Sequence, residues 1–227
     1  MNLLKKIPIR FTGELHDVKL VNFYIDMREL DGLVPGNIAV RDFHGRAMIS
    51  MVNVMLRKMH PEIIPGLGYF DYRHIAFRLL VEDAGLNGGT NKGIFFLKSF
   101  TDQPVIMQAG GLLTDYNLEL AEIRCIDRML ELNQGEKKIS YALDLSAAGK
   151  PDRNLLETVS TLDRAYSAAG NELRMVRIMR ERWPLRPVDC YHFETNFFET
   201  AELAGVFVVD DTIRYEWLPA ENIRPCA

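Results

Sequence analysis

Two glutamates spaced three residues apart form the clearest carboxylate pair for acid–base chemistry. Glu119 and Glu122 stand in Asn117-Leu-Glu-Leu-Ala-Glu-Ile-Arg124, a segment with a strand-like pattern. On a strand, a spacing of three places two side chains on opposite faces. One carboxylate would then face an apolar interior, where burial raises a carboxyl pKa toward the range of general acids and bases. The alternative is an ion pair with Arg124 or a neighbouring strand.

Histidines are a second source of chemistry, because imidazole titrates near neutral pH. None of the five lies within four residues of another, so no helix or strand brings two of them together as metal ligands. We expect each to be a surface or core-edge residue, and we predict no metal site. The alternative is a metal site that only the folded chain assembles from distant residues.

The sequence lacks the short motifs of phosphate-binding loops, dinucleotide-binding folds, serine hydrolases and zinc proteases. We therefore predict no cofactor. Lysine and arginine total 27 against 31 acidic residues, which gives a net charge of -4 and no bulk attraction to nucleic acid. The longest segment without a charged residue, Gln103–Thr114, is shorter than the roughly 20 residues that span a bilayer. Neither nucleic acid nor a membrane is an expected partner.

The chain of 227 residues contains no repeat or linker, so we expect one domain over residues 1–227. Its N-terminus lacks the apolar core of a signal peptide. Three widely spaced cysteines do not form a disulfide framework. These features predict a cytoplasmic protein.

Most of the periodic segments read as strands. Strand patterns cover residues 47–56, 74–82, 93–100, 116–126, 138–145 and 172–181. Asn87-Gly88 is typical of a hairpin turn between two of them. Short helices are expected over residues 27–33, 103–110, 152–161 and 194–203. Together these elements predict a β-rich α+β domain. So many strands in one domain must close or stack to protect their edges, and this requirement favours a barrel.

Several segments together resemble the acetoacetate decarboxylase-like superfamily, and in particular its YqjF-like branch. They occur in the order of the family and span nearly the whole chain. They are Asp26-Met-Arg-Glu-Leu-Asp-Gly-Leu-Val-Pro, Gly45-Arg-Ala-Met-Ile-Ser-Met-Val, Tyr72-Arg-His-Ile-Ala-Phe-Arg-Leu-Leu-Val, Gly93-Ile-Phe-Phe-Leu, Trp183-Pro-Leu-Arg-Pro and Tyr215-Glu-Trp-Leu-Pro. The resemblance implies a closed, conical antiparallel β-barrel with a few short flanking helices and an internal pocket, and it makes a homo-oligomer possible.

The resemblance also identifies what this chain lacks. Decarboxylases of the family carry two adjacent lysines after a proline, one of which forms a Schiff base while its neighbour lowers its pKa. Aligning the strand after Gly93 places Pro104 on that proline and puts Val105 and Ile106 where the lysines belong. Neither can form an imine. His16 falls at the position of an arginine thought to hold the substrate carboxylate, and a histidine holds an anion only when protonated.

Two further cations are candidates for ligand binding. The YqjF-like branch carries a Glu-Val-Asn-x-Arg strand, and here His74 and Ala76 replace the glutamate and asparagine while Arg78 keeps the arginine. Lys98 is the lysine nearest to the lost pair. It shares a strand face with Phe96, which would point it into the barrel, although an exposed edge lysine is the commoner situation.

Three interpretations of function remain open. The first is a protein that binds a small, partly apolar molecule in the barrel without imine chemistry. The second is a lyase or hydrolase acting on a small carbonyl or carboxylate compound, with Glu119 or Glu122 and His74 or His16 as acid and base. The third is a structural or partner-binding module. The ligand-binding residues expected under the first interpretation are His16, Arg78 and Lys98.

Overall fold

Strands make up most of the computed structural model, which describes residues 8–36, 38–62, 68–82, 92–113, 118–150, 153–169, 172–180 and 183–223. They join into one 15-stranded sheet. The strands are β1 (Phe11–Asp26), β2 (Ala39–Val40), β3 (Arg46–Pro61), β4 (Phe70–Glu82), β5 (Lys92–Thr101), β6 (Leu118–Leu120), β7 (Glu122–Ile126), β8 (Met129–Gln134), β9 (Lys137–Ala148), β10 (Arg164–Ala169), β11 (Glu172–Arg180), β12 (Arg186–Thr195), β13 (Glu202–Val209), β14 (Ile213–Trp217) and β15 (Glu221–Ile223).

Seven of these strands close into a barrel, as predicted. Their order is β14-β11-β10-β5-β4-β3-β1, and β1 pairs with β14 to complete the ring. Neighbouring strands are antiparallel except for the parallel pair β5 and β10. Closure leaves these strands without free edges.

Strand β1 belongs to the barrel and to a second layer. Its residues Phe11–Leu15 pair with β14, whereas Val18–Tyr24 pair with β13. The change of partner coincides with a bulge at Asp17, whose φ of 52° lies in the left-handed region. Aspartate tolerates this region better than most residues, and a bulge bends the strand. Strands β13, β12, β9, β8 and β7 continue the sheet away from the barrel.

The barrel wall therefore separates two hydrophobic cores. On β3 and β4, Met48 and Ala76 face the barrel interior, while Ile49 and Phe77 face the outer core beneath the second layer. Each strand buries both faces because residues alternate between them. This explains why Ala47 to Leu56 is almost continuously apolar instead of alternating.

Two α-helices occur in the described residues, α1 (Pro104–Leu113) and α2 (Arg153–Ser160). Both lie close to predicted helices. Helix α1 begins with proline, whose missing N–H is not needed in the first turn. Helix α2 contributes Leu155 and Val159 to the interior core. Neither helix is long and apolar enough to cross a membrane.

Three other predicted elements differ from the structure. The helix expected over residues 194–203 is wrong: β12 runs to Thr195, a turn follows, and β13 begins at Glu202. Pairing with β9 and burial of Phe198 in the outer core override the local helical pattern. The helix expected over residues 27–33 is only a 3₁₀ turn over Met27–Leu30. The strand expected over residues 116–126 is interrupted at Ala121. The turn at Asn87-Gly88 lies outside the described residues.

Candidate ligand-binding cavity in the barrel

The barrel interior contains a partly enclosed cavity of about 60 Å³. A buried water needs about 10–15 Å³ by this measure, so the space holds about four water-sized groups. Aliphatic and aromatic side chains form most of its wall. The lining residues are Leu15, Val52, Val54, Leu56, His74, Arg78, Ile94, Phe96, Leu162, Ile178, Trp183, Tyr215 and Trp217.

His74 lies on the cavity wall because β4 carries it directly opposite Val54 of β3. Its ring centroid is 6.4 Å from that of Tyr72. Burial lowers the pKa of His74 to about 4, and the positive charge of Arg78 acts in the same direction. The imidazole is therefore neutral at pH 7 and carries one hydrogen-bond donor and one acceptor.

Arg78 stands four residues further along β4, on the same face. Its Nε donates to the carbonyl oxygen of Ser50 at 2.9 Å, and Nη2 donates to Ser50 Oγ at 2.9 Å. The guanidinium carbon lies 5.8 Å from the ring centroid of Trp183. Arg78 is 8% exposed and is the one formally charged side chain among the described lining residues. Its guanidinium is thus the charged group of the described part of the cavity wall.

Lys98 does not line this cavity, and the reason is a bulge. Arg78 pairs with Phe96, but the neighbouring Phe77 pairs with Lys98, so β5 contains one extra residue, Leu97. The extra residue breaks the alternation that would place Phe96 and Lys98 on one face. Phe96 therefore lines the cavity, while Lys98 Nζ lies 3.7 Å from Glu119 Oε1 in a half-exposed ion pair.

The two candidate glutamates lie on different strands and outside the cavity. Glu119 of β6 accepts a hydrogen bond from Gln134 in addition to its contact with Lys98. Glu122 of β7 is 55% exposed and pairs with Arg124. This pairing is the ion-pair alternative that the sequence allows.

His16 also lies away from the cavity, beside the bulge at Asp17. Its Nε2 is 3.0 Å from Glu14 Oε2, and its Nδ1 is 3.2 Å from Thr212 Oγ1. Of the six candidate site residues, the structure brings only His74 and Arg78 together at the cavity.

Val105 and Ile106 form the first turn of α1, outside the cavity. Val105 is 69% exposed and Ile106 is buried. No lysine of the described residues lines the cavity. Within the same part of the chain, no group of three or more His, Cys, Asp or Glu side chains is arranged to hold a metal ion.

Sequence reasoning did not identify Trp183, Tyr215 and Trp217 as residues of the cavity wall. Trp183 and Trp217 lie in two of the segments that resemble the superfamily, yet their spacing alone does not show that both reach one cavity. The ring centroids of Trp217 and Phe96 are 5.9 Å apart, and those of Trp217 and Tyr215 are 5.8 Å apart. Strands β5 and β14, which are distant in sequence, meet here because the barrel closes.

A family model, DUF2071, described as an uncharacterized conserved protein, matches residues 12–216. The chain belongs to the DUF2071 family. A search of curated protein sequences finds no significant match.

Solved structures of acetoacetate decarboxylase-like proteins share the fold. An acetoacetate decarboxylase-like enzyme from Sphingomonas wittichii RW1 superposes with a TM-score of 0.66 at 14% identity, covering 98% of this chain and 96% of that one. An acetoacetate decarboxylase from Legionella pneumophila gives a TM-score of 0.57 at 14% identity, with coverages of 97% and 87%. The enduracididine biosynthesis enzyme MppR, complexed with pyruvate, gives 0.57 at 13%, with coverages of 95% and 90%.

These structures confirm the predicted fold class, and the DUF2071 match agrees with the predicted family resemblance. This DUF2071 chain is therefore an acetoacetate decarboxylase-like β-barrel. At such low identity the neighbours establish the fold, and the chemistry of the cavity has to be argued from its own residues.

Proposed function

We propose that the barrel cavity binds a small, partly apolar molecule through a carboxylate or carbonyl group placed at Arg78. The observation that carries this proposal is a buried guanidinium in the wall of an otherwise apolar cavity. The neutral imidazole of His74 supplies a second polar contact on the same strand face.

The chemistry of the wall favours an anion. A guanidinium presents several N–H groups in one plane and forms short, charge-assisted hydrogen bonds with carboxylates. Such bonds strengthen where water is excluded. The apolar wall would take the hydrocarbon part of the ligand. A cavity of about 60 Å³ suits a compound of a few heavy atoms.

A protein with the same fold supports a ligand of this size and charge. MppR is described in complex with pyruvate, a three-carbon keto acid, within the same fold. Pyruvate is therefore the first probe for this chain.

We propose further that this protein does not use Schiff-base chemistry. Imine formation requires an unprotonated lysine next to the bound carbonyl, and the described lining residues include none. Treatment with pyruvate and borohydride is expected to leave the protein mass unchanged. A covalent pyruvate adduct in the intact mass would contradict this part of the proposal.

Calorimetric titration of pyruvate and its neutral amide tests the binding proposal. Wild-type protein should bind pyruvate at least tenfold more tightly than pyruvamide, and Arg78→Met should lose that difference. Arg73→Met is the matched control, because Arg73 is a largely buried arginine of the same strand that contacts Asn53 and Asp17 and does not line the cavity. The proposal fails if wild type binds neither compound, or if both variants respond alike.

The acid–base alternative has less support. His74 could accept a proton as a neutral imidazole, but no aspartate or glutamate belongs to the described cavity lining. Glu119 and Glu122 are engaged elsewhere.

Assembly and location remain predictions. Native mass spectrometry of gently purified protein would report both the subunit number and any retained ligand. The described cysteines Cys125 and Cys190 are free thiols, which agrees with a reducing compartment.

A further inference from the structure

The second layer of the sheet ends in a strand with an open edge. Strand β7 is the last of the series β13, β12, β9, β8 and β7, and within the described residues it pairs with β8 alone. Proteins often protect such an edge with proline, lysine or a bulge. Strand β7, Glu-Ile-Arg-Cys-Ile, has none of the three. Its outward-facing backbone groups are therefore open to pairing with another strand.

The hairpin between β7 and β8 determines which backbone groups face the open edge. Its two-residue turn joins Ile126 to Met129, and residues that flank such a turn form a hydrogen-bonded pair. Because hydrogen-bonded and non-hydrogen-bonded pairs alternate along a ladder, the N–H and C=O groups of Ile123 and Cys125 point away from β8. In agreement, the N–H of Ala121, two residues before Ile123, donates to the end of β5 at 3.0 Å.

The exposed side chains along this edge form a row that is complementary to its own reverse. The row is apolar, acidic, basic and apolar, and consists of Leu120, Glu122, Arg124 and Ile126. Leu120 is 44% exposed and Ile126 is 64% exposed, and the two charged side chains are more than half exposed. The row alternates with residues that face the outer core, such as Ile123. A second copy turned by a two-fold axis would present acid to base and apolar to apolar.

We propose that β7 is the contact strand of a homodimer, in which two copies pair antiparallel about a two-fold axis at Ile123. Ile123 then lies opposite Ile123 of the second copy, and the outward-pointing backbone groups of both residues form a hydrogen-bonded pair. Glu122 lies opposite Arg124 of the second copy, and symmetry repeats this contact. Unlike charges directly opposite each other stabilise strand pairing. The contact belongs to the second layer, so it is independent of the binding proposed for the barrel cavity.

Charge selects this register from three that match the backbone groups. An axis at Arg124 would place two arginines directly opposite each other, which is unfavourable. An axis at Cys125 would place Arg124 opposite Ile126, without a charged partner. Within β7, only the axis at Ile123 places unlike charges opposite each other. Because the strand has five residues, we expect a weak dimer whose population depends on protein concentration.

Sedimentation velocity over a range of protein concentrations tests the contact. Wild type should form a dimer as its concentration rises. Glu122→Arg places like charges opposite each other twice and should raise the dissociation constant of the dimer at least tenfold. The double variant Glu122→Arg/Arg124→Glu exchanges the two charges and should restore the dimer. Glu202→Arg is the matched control, because Glu202 is an exposed glutamate of β13 in an ion pair with Arg46, and it should leave the dimer unchanged.

Disulfide cross-linking tests the register, in protein that also carries Cys125→Ser. A mixture of Glu122→Cys and Arg124→Cys should give a cross-linked heterodimer on oxidation. The two positions form a non-hydrogen-bonded pair with Cα atoms about 4.5 Å apart, which is within the range of a disulfide. Neither variant alone should cross-link to the same extent. Efficient cross-linking of Arg124→Cys with itself would indicate an axis at Arg124 and overturn the proposed register.

Two results would overturn the contact itself. The first is a wild type that stays monomeric throughout the concentration range, which would leave the edge of β7 to a partner other than a second copy. The second is a dimer that Glu122→Arg does not weaken, or that Glu202→Arg weakens as strongly, because its contact would then lie on another surface. Neither result bears on pyruvate binding in the barrel cavity.

Discussion

The two faces of the barrel wall treat buried polar groups differently, and two asparagines show the contrast. On the outer face, Asn53 donates to Tyr141 Oη at 2.7 Å and accepts from Arg73 at 2.8 Å, so both ends of its amide are used. On the interior face, Asn22 uses only its donor end. A satisfied buried network stabilises the fold, whereas an unsatisfied buried atom reduces stability.

Aromatic packing differs in the same way. Phe77 on the outer face contacts a cluster of rings, with centroid distances of 5.6 Å to Phe100 and 5.0 Å to Phe197. Phe96 on the interior face borders the cavity. The rings around Phe77 are therefore closely packed, whereas Phe96 borders an open space in the interior core.

The largest expected loss of stability follows from a substitution on the outer face of the barrel wall. Phe77→Ala should lower the free energy of unfolding by about 3–5 kcal/mol, because it opens a cavity in a fully buried cluster. Phe96→Ala should cost clearly less, since that ring already borders empty space. Urea unfolding of both variants measures the difference, and equal costs would contradict the contrast between the faces.

The second largest effect is a pH dependence of the free energy of unfolding that originates at His74 on the interior face. Because the pKa of His74 falls to about 4 in the folded protein, the unfolded chain binds a proton on His74 between about pH 6.5 and 4 while the native protein does not. Stability should therefore fall as pH decreases through this window, by about 3 kcal/mol at 1.36 kcal/mol per unit of pKa difference.

The substitution His74→Gln should remove that part of the pH dependence. Parallel profiles for His74→Gln and wild type between pH 4 and 6.5 would show that His74 is not buried as a neutral imidazole.

Substitutions of Asn53 and Asn22 should differ by a smaller amount in their effect on the free energy of unfolding. Asn53→Leu should lower the free energy of unfolding by about 2 kcal/mol, because it leaves the Tyr141 hydroxyl and an Arg73 N–H without their partner. Asn22→Leu should change it by less than about 1 kcal/mol, since the lost hydrogen bonds are offset by removal of the unsatisfied oxygen. A larger cost at Asn22 would reverse the comparison.

The smallest effect is expected at the surface of the second layer. Glu122→Gln removes an exposed ion pair with Arg124 and should change the free energy of unfolding by no more than about 0.5 kcal/mol. A loss above 1 kcal/mol in thermal or urea unfolding would indicate a structural role for Glu122 that its exposure does not suggest.

The sequence predicts the barrel well because its long apolar strands must be buried on both faces. Residues 47–56 and 74–82 are strands, and their two-sided burial makes closure the natural solution. The site is harder to predict. Arg78 and His74 follow from strand periodicity and the family pattern, whereas the position of Lys98 depends on the single extra residue at Leu97. Such a bulge leaves no clear mark in one sequence, and neither does the alignment of Asn22, Ser50 and Arg78 across three neighbouring strands.

The most direct test of the account is an NMR titration of histidine-labelled protein with pyruvate, in which His74→Gln assigns the His74 imidazole signals. If pyruvate binds at Arg78, the His74 signals of wild type should shift saturably, and these shifts should disappear in Arg78→Met. Unchanged His74 signals at pyruvate concentrations that shift only His16 or His192 would contradict binding in the barrel cavity.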